Sequence, residues 1–248
     1  MLGCAAALLS AGHAFAQKPA PARRVLSAND QRPRPYFVRP ERDRRLELLE
    51  IGPDLGIMAH PSDSDSITYS AGFAFGVHAR IEILRWLGFR ALLSRAIHGV
   101  SVPDGALLEG TRASQPSLSV LQLGARIEPT WSITPQTRAW FGIGAAWDRI
   151  WADRPDLSGR QVQAADRTGA AVEVIGALGA TWDVIPKWLA LSLCLSASGM
   201  VTQSGNMFER LQAIDEDVSR PNDPLVYIDG LPEFQGAASA LFGVGLLL

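Results

Sequence analysis

From Leu46 onward, apolar positions alternate with small or polar ones along most of the chain. The clearest run puts Phe73, Phe75, Val77, Ala79, Ile81 and Ile83 on one parity and Gly72, Ala74, Gly76, His78, Arg80 and Glu82 on the other. Leu121, Leu123, Ala125 and Ile127 alternate with Gln122, Gly124, Arg126 and Glu128. Leu189, Leu191, Leu193 and Leu195 alternate with Ala190, Ser192, Cys194 and Ser196. Successive side chains of a strand point to opposite faces, so each run predicts a strand with two unlike faces. Eight strands are predicted, over 47–58, 71–84, 87–98, 117–131, 137–151, 169–184, 188–202 and 236–248.

The connections add direction. Those after the second, fourth and sixth strands are short (Arg85–Trp86, Ser132–Gln136, Ile185–Lys187), with Pro135 and Pro186 as turn formers. The others are long and polar, the last running from Gln203 to Gln235. Short turns at one end and long loops at the other predict an all-β fold, an eight-stranded antiparallel up-and-down transmembrane β-barrel with both termini periplasmic. Backbone polar groups in hydrocarbon must all be paired, so a closed barrel is the sheet that can cross a membrane.

The choice between a membrane barrel and a soluble, lipocalin-like one turns on which face is inside. The non-apolar face is rich in Gly, Ala and Ser, with separate charges at Glu50, Asp54, Arg80, Glu82, Arg90, Arg126, Glu128, Arg138, Asp148, Glu173 and Asp183. Small residues suit the tight interior of eight strands. Arg80, Glu82, Arg90, Arg126, Glu128, Arg138 and Asp183 are expected to form a charge ladder across the lumen that obstructs solute passage. Glu82 and Arg90 are equidistant from Trp86, so they are expected to stand opposite each other. The same symmetry places His78 opposite Ser94, about 13 Å from His98, which argues against a shared metal. Trp86, Trp131, Trp182 and Trp188 lie beside the short turns, where an interfacial aromatic girdle belongs. Arg95 falls among the apolar positions, which calls for a bulge after Leu92 or for a side chain reaching the outer headgroups.

At this point the chain resembles the small eight-stranded outer-membrane proteins of the OmpA, OmpX and OmpW kind. The resemblance is architectural and covers roughly Leu46 to Leu248. It implies insertion by the barrel-assembly machinery and contact with outer-membrane lipids and lipopolysaccharide. The group's closing strand commonly holds a Gly and ends hydrophobic-x-aromatic; here Gly243 precedes Leu246 and Leu248, with leucine in the aromatic place.

Composition is consistent with this reading. No run after residue 16 approaches the 18 apolar residues of a spanning helix. Ala5–Ala11 followed by Ala14-Phe15-Ala16 reads as a signal peptide over residues 1–16. Residues 17–45 hold nine basic against three acidic residues among Pro and Ala, and are expected to form a flexible basic periplasmic segment. Cleavage leaves Cys194 as a single cysteine, so neither a disulfide nor a zinc site is expected. A net charge of −2 gives no reason to expect nucleic acid.

The search for chemistry returns little. A lipid A-modifying hydrolase needs a nucleophile, a base and an orienting acid near the outer leaflet. His98 and Ser101 stand near the expected outer rim, but nothing pairs them, and they do not stand in the His-x-Ser arrangement that a deacylase resemblance would require. The Gln203–Gln235 loop carries Glu209, Asp215, Glu216, Asp217, Asp223, Asp229 and Glu233 against Arg210 and Arg220. It reads as a solvated external loop, with calcium-bridged contact to an anionic surface as a sharper hypothesis. The sequence therefore points to a monomeric, non-enzymatic, porin-like barrel of a Gram-negative outer membrane, without metal or cofactor, that supports the envelope or binds through its loops. The alternatives are a narrow channel for small or apolar solutes and a lipid A-modifying enzyme.

Overall fold

The computed structural model describes residues 49–64, 66–107, 112–113, 117–153, 157–158, 162–163, 166–215 and 225–248. The expected signal peptide and basic segment lie outside them.

Eight long strands follow in order: β1 Leu49–Ala59, β2 Gly72–Leu84, β3 Leu87–Ser101, β4 Ser117–Ser132, β5 Thr137–Ala152, β6 Arg167–Ile185, β7 Leu189–Ser204 and β8 Gly236–Leu247. Each pairs antiparallel with its sequence neighbours, and β1 also pairs with β8, so the sheet closes on itself. Closure leaves no unpaired edge. No helix among the described residues is long and apolar enough to cross a membrane.

The strands lie where the alternation places them, and several run on at the long-loop end. β3 reaches Ser101 where 98 was expected, and β7 reaches Ser204 where 202 was expected. Burial follows parity: from Phe89 to Ser101, the odd residues of β3 are exposed or half-buried and the even ones are buried. The apolar parity faces outward. Ile57 is 59% exposed, Ile143 62% and Leu178 58%, while Arg80, Arg90 and Glu128 are almost wholly buried.

Two expectations about register are corrected. Arg80, not Glu82, stands opposite Arg90; Glu82 stands opposite Gly88. The turn is centred between Arg85 and Trp86, half a residue earlier than Trp86 itself, and an irregularity between Glu82 and Leu84 shifts the ladder further. His78 consequently faces Leu92, six positions from His98. At Arg95, by contrast, no bulge intervenes: the ladder runs unbroken through Phe75–Arg95 and Arg95–Leu121, and the side chain stays on the outer face.

A second irregularity matters at the long-loop end. Glu173 pairs with Met200 but Val172 with Thr202, so Val201 is the extra residue of a bulge. The phase of β7 changes there, leaving Ser198 inside the barrel and turning Gln203 toward the loops above. Gln203 clamps the backbone of Phe234, donating from Nε2 to its carbonyl at 2.8 Å and accepting its N–H at 2.9 Å.

Candidate functional site

The barrel interior is layered, and each layer follows from which side chains the inward parity supplies. Nearest the short turns is an ionic layer. Glu128 on β4 accepts from Arg80 Nε at 2.8 Å and from Arg126 Nε at 2.7 Å, and lies 3.0 Å from Arg90 Nε. Glu82 pairs with Arg80 and Arg138, and Arg138 reaches Asp183 at 2.8 Å. All seven residues of the sequence-derived ladder stand inside the barrel and in one connected network. His78 extends it, bridging Asp54 at 2.9 Å and Glu50 at 3.2 Å. Gly243 makes room for this bridge, since a Cβ there would collide with Asp54 and Ser192 and crowd His78.

Among the arginines of this layer the lumen is crossed by Trp140, which is 1% exposed. Its ring lies under two guanidinium groups, Arg90 at 5.3 Å and Arg126 at 4.7 Å, and its Nε1–H donates to Thr181 Oγ1 at 3.3 Å. Gly179 on the adjacent strand leaves the space the indole fills. Inward parity alone does not distinguish Trp140 from a residue at a bulge, and the sequence reading did not single it out. The signal was its position among charged and small residues of the inward face, two places from Arg138.

Next comes an acidic layer. Glu173 accepts from Gln122 Nε2 and Ser198 Oγ. Asp148, fully buried, has no hydrogen-bond partner for either carboxylate oxygen among the described residues. Among the described residues neither acid has a basic partner, unlike the carboxylates nearer the short turns.

The long-loop end is sealed by apolar side chains, where a small and polar lumen was expected. Leu118, Val120, Ile150, Ala152 and Ala171 from the strands pack with Met207, Ile228, Leu231 and Phe234 from the last loop. That loop was expected to be solvated. It folds instead into a lid, in which Leu211–Asp215 pairs with Leu225–Ile228 and with Val162–Gln163. Its acids Glu209, Asp229 and Glu233 point outward while the apolar residues between them bury, which is why composition alone misread it. Glu216, Asp217 and Asp223 of the calcium hypothesis lie outside the described residues. Arg167, buried beneath the lid, donates to the carbonyls of Asp229 at 2.7 Å and Met207 at 3.4 Å.

Two histidines meet under the lid. His60 Nδ1 lies 3.1 Å from His98 Nε2, and His98 Nδ1 lies 2.9 Å from the Ser70 carbonyl oxygen. A carbonyl only accepts, so His98 Nδ1 donates; neutral His98 then accepts at Nε2 and His60 Nδ1 donates to it. His60 Nε2 is left buried without a partner among the described residues, and the ring packs on Phe234 at 4.9 Å. His98 is thus committed to His60 and Ser70, and Ser101 stands exposed at the strand end. Burial, with His98 adding to it, pushes the His60 pKa down from 6.5 to about 3. A lid that opens frees His60 to take a proton near its ordinary value, whereas the packed lid refuses it until about pH 3. Lid packing should therefore weaken as pH falls from about 6.5 toward 3. Limited proteolysis within the Gln203–Gln235 segment should quicken across that window, and less so in His60→Phe; a rate independent of pH in the wild type would refute the assignment.

The tryptophans beside the short turns stand on the outer wall. Trp86, Trp131, Trp182 and Trp188 are 58%, 51%, 51% and 71% exposed. Their ring and the outward apolar band above it complete the barrel's outer surface.

No protein-family model matches the sequence, and no curated protein matches it. Among solved structures, the Neisserial surface protein A superposes with a TM-score of 0.51 at 10% identity, over 80% of this chain and 96% of its own. The fold is that of the small outer-membrane barrels. The outer membrane protein OprG from Pseudomonas aeruginosa (TM-score 0.47, 12% identity, 82% of this chain and 95% of its own) and the attachment invasion locus protein Ail of Yersinia pestis (0.43, 11%, 82% and 97%) are also similar. At such identities the likeness is one of fold, so what distinguishes this barrel must come from its own side chains. Those are the ionic layer, Trp140, the unpaired acids and the histidine-backed lid.

Proposed function

We propose that this chain is a bacterial outer-membrane barrel, closed to solute flow and without an enzymatic site, that acts through the folded lid at its long-loop end. The observation that carries the proposal is the contrast between the two faces of the sheet. Among the described residues, the outward face of the eight strands presents apolar, small and aromatic side chains, with charges at Arg95 and Arg149 only. Inward, the same strands carry five arginines and seven carboxylates, buried or half-buried: Arg80, Arg90, Arg126, Arg138 and Arg167 with Glu50, Asp54, Glu82, Glu128, Asp148, Glu173 and Asp183. In water so large an exposed apolar surface would drive association; in a bilayer it is the anchoring surface.

The dimensions agree. The ten residue steps from Leu121 to Trp131, at about 3.3 Å each and a tilt near 40°, climb about 25 Å, the height of an outer-membrane apolar band. The tryptophans at its lower border then mark the periplasmic interface, and the lid stands outside the cell. The start of β1 at Leu49 and the end of β8 at Leu247 come to the periplasmic side in this orientation.

Cell fractionation and planar-bilayer recording test the reading together. The expected results are recovery with outer membranes, a heat-modifiable gel shift of the purified barrel, and little current through the wild-type lumen. A soluble protein, or a steady open-pore conductance, would overturn it.

A further inference from the structure

The outward face of the eight strands carries two charged side chains among the described residues, Arg95 on β3 and Arg149 on β5. They are not scattered. Leu121 on β4 pairs with Arg95 on one side and Arg149 on the other, so the two arginines occupy one row around the barrel. Arg95 leans across β4 toward β5: its Nη2 donates to Ser119 Oγ at 3.1 Å, and its guanidinium lies 5.1 Å from the Trp151 ring centroid. Trp151 is the next outward residue above Arg149 on the same strand, so Arg95 and Arg149 border one patch of the wall. The described residues place no carboxylate on the outward face of these strands to balance them. Among the described residues, Arg95 Nε is buried without a hydrogen-bond partner.

Beside Arg149 the wall is concave. A groove of about 280 Å³ runs between Trp147 and Arg149 on β5, Thr168, Gly169 and Ala170 on β6, and Ser204 and Gly205 at the end of β7. Small residues on two strands lower its floor, and Trp147 forms an apolar wall on the side of the hydrocarbon band.

We infer that this patch is a binding site for the phosphate of a phosphorylated glycolipid in the outer leaflet. The inference rests on the membrane reading above and specifies it. The arginine row lies about 25 Å above the tryptophan ring, at the upper border of the apolar band, which is the depth of outer-leaflet headgroups. Arginine recognises phosphate through paired, charge-assisted hydrogen bonds, and two arginines in one row offer two such forks at the same depth. The acyl chains of such a lipid would descend over Leu93, Leu123 and Trp147, the outward residues of the next row down. A free inorganic phosphate gains nothing from that apolar wall, so the site selects the lipid-borne form.

The test uses the full barrel in a non-ionic detergent with bisphosphorylated lipid A, and native mass spectrometry reads the bound lipid. The wild type should retain one lipid A per barrel, and Arg95→Gln/Arg149→Gln should retain it at least about tenfold more weakly. Arg149→Lys, which keeps the charge but loses the fork, should fall between them. Dephosphorylated lipid A should bind the wild type no better than lipid A binds the double variant, and millimolar inorganic phosphate should not displace it. Equal retention by wild type and double variant, equal binding of the dephosphorylated lipid, or displacement by inorganic phosphate would each overturn the assignment. A heat-modifiable gel shift on every sample shows whether each variant is folded. If the cellular protein fractionates as soluble, the membrane reading fails by that result alone, and the detergent measurement still judges the site.

Discussion

Replacing Glu128 with alanine is expected to lower barrel stability by about 3–5 kcal/mol, because it strands three buried arginines at once. Glu128 is 0% exposed and lies within 3.0 Å of guanidinium nitrogens of Arg80, Arg90 and Arg126. Those arginines come from three adjacent strands, so one carboxylate fastens β2, β3 and β4 from the inside. Loss of the charge leaves like charges facing each other in a closed interior, where water cannot screen them well. Glu128→Gln keeps the shape but not the charge and should cost nearly as much. Glu128→Asp keeps the charge on a shorter stem and should recover part of the loss. Combining Glu128→Gln with Arg90→Met removes one charge of each sign and should cost less than the sum of the single changes, the mark of coupled partners. Urea unfolding of the barrel in lipid vesicles measures all four. A change below about 1 kcal/mol in Glu128→Ala would show that the ionic layer does not hold the strands.

Trp140→Ala should have two effects, one on stability and one on the lumen. Removing a fully buried indole costs about 3–5 kcal/mol, through lost burial and the cavity left behind. The indole also fills the lumen among the guanidiniums of Arg90 and Arg126, so its loss leaves a polar opening within the ionic layer. Planar-bilayer recordings should show brief openings in Trp140→Ala that the wild type lacks. Trp140→Phe keeps most of the ring, loses the bond to Thr181, and should stay closed at a cost of about 1 kcal/mol. If Trp140→Ala is as silent as the wild type, the apolar seal beneath the lid is the true barrier, and Val120→Ser/Ile150→Ser in the same background should then open it.

The barrel was legible because its physics is one-dimensional. Period-two alternation specifies strands, and alternating short and long connections specify which end each strand meets. The seven ladder residues follow from parity, since a side chain's face is decided by its place along its own strand, and the four tryptophans follow from their place beside the short turns. What parity does not fix is the offset between strands. The Glu82–Arg90 pairing was missed because half a residue of turn geometry and one irregularity near Ile83 moved Arg80 into that place. The lid was missed for a different reason: its acids dominate the composition, while its apolar residues find their partners on strands distant in sequence.

Sequence by itself determined the strand count, the inward and outward faces, and so the class of environment each face requires. Tertiary structure alone decided which inward charges meet, that Trp140 crosses the lumen, that His60 comes to His98, and that Arg95 and Arg149 share a row on the outer wall. Alternation is a property of one chain segment, whereas each of these meetings depends on the register of two or more strands around a closed ring. A shift of one residue in any ladder would turn a buried ion pair into charges on the outward, apolar face.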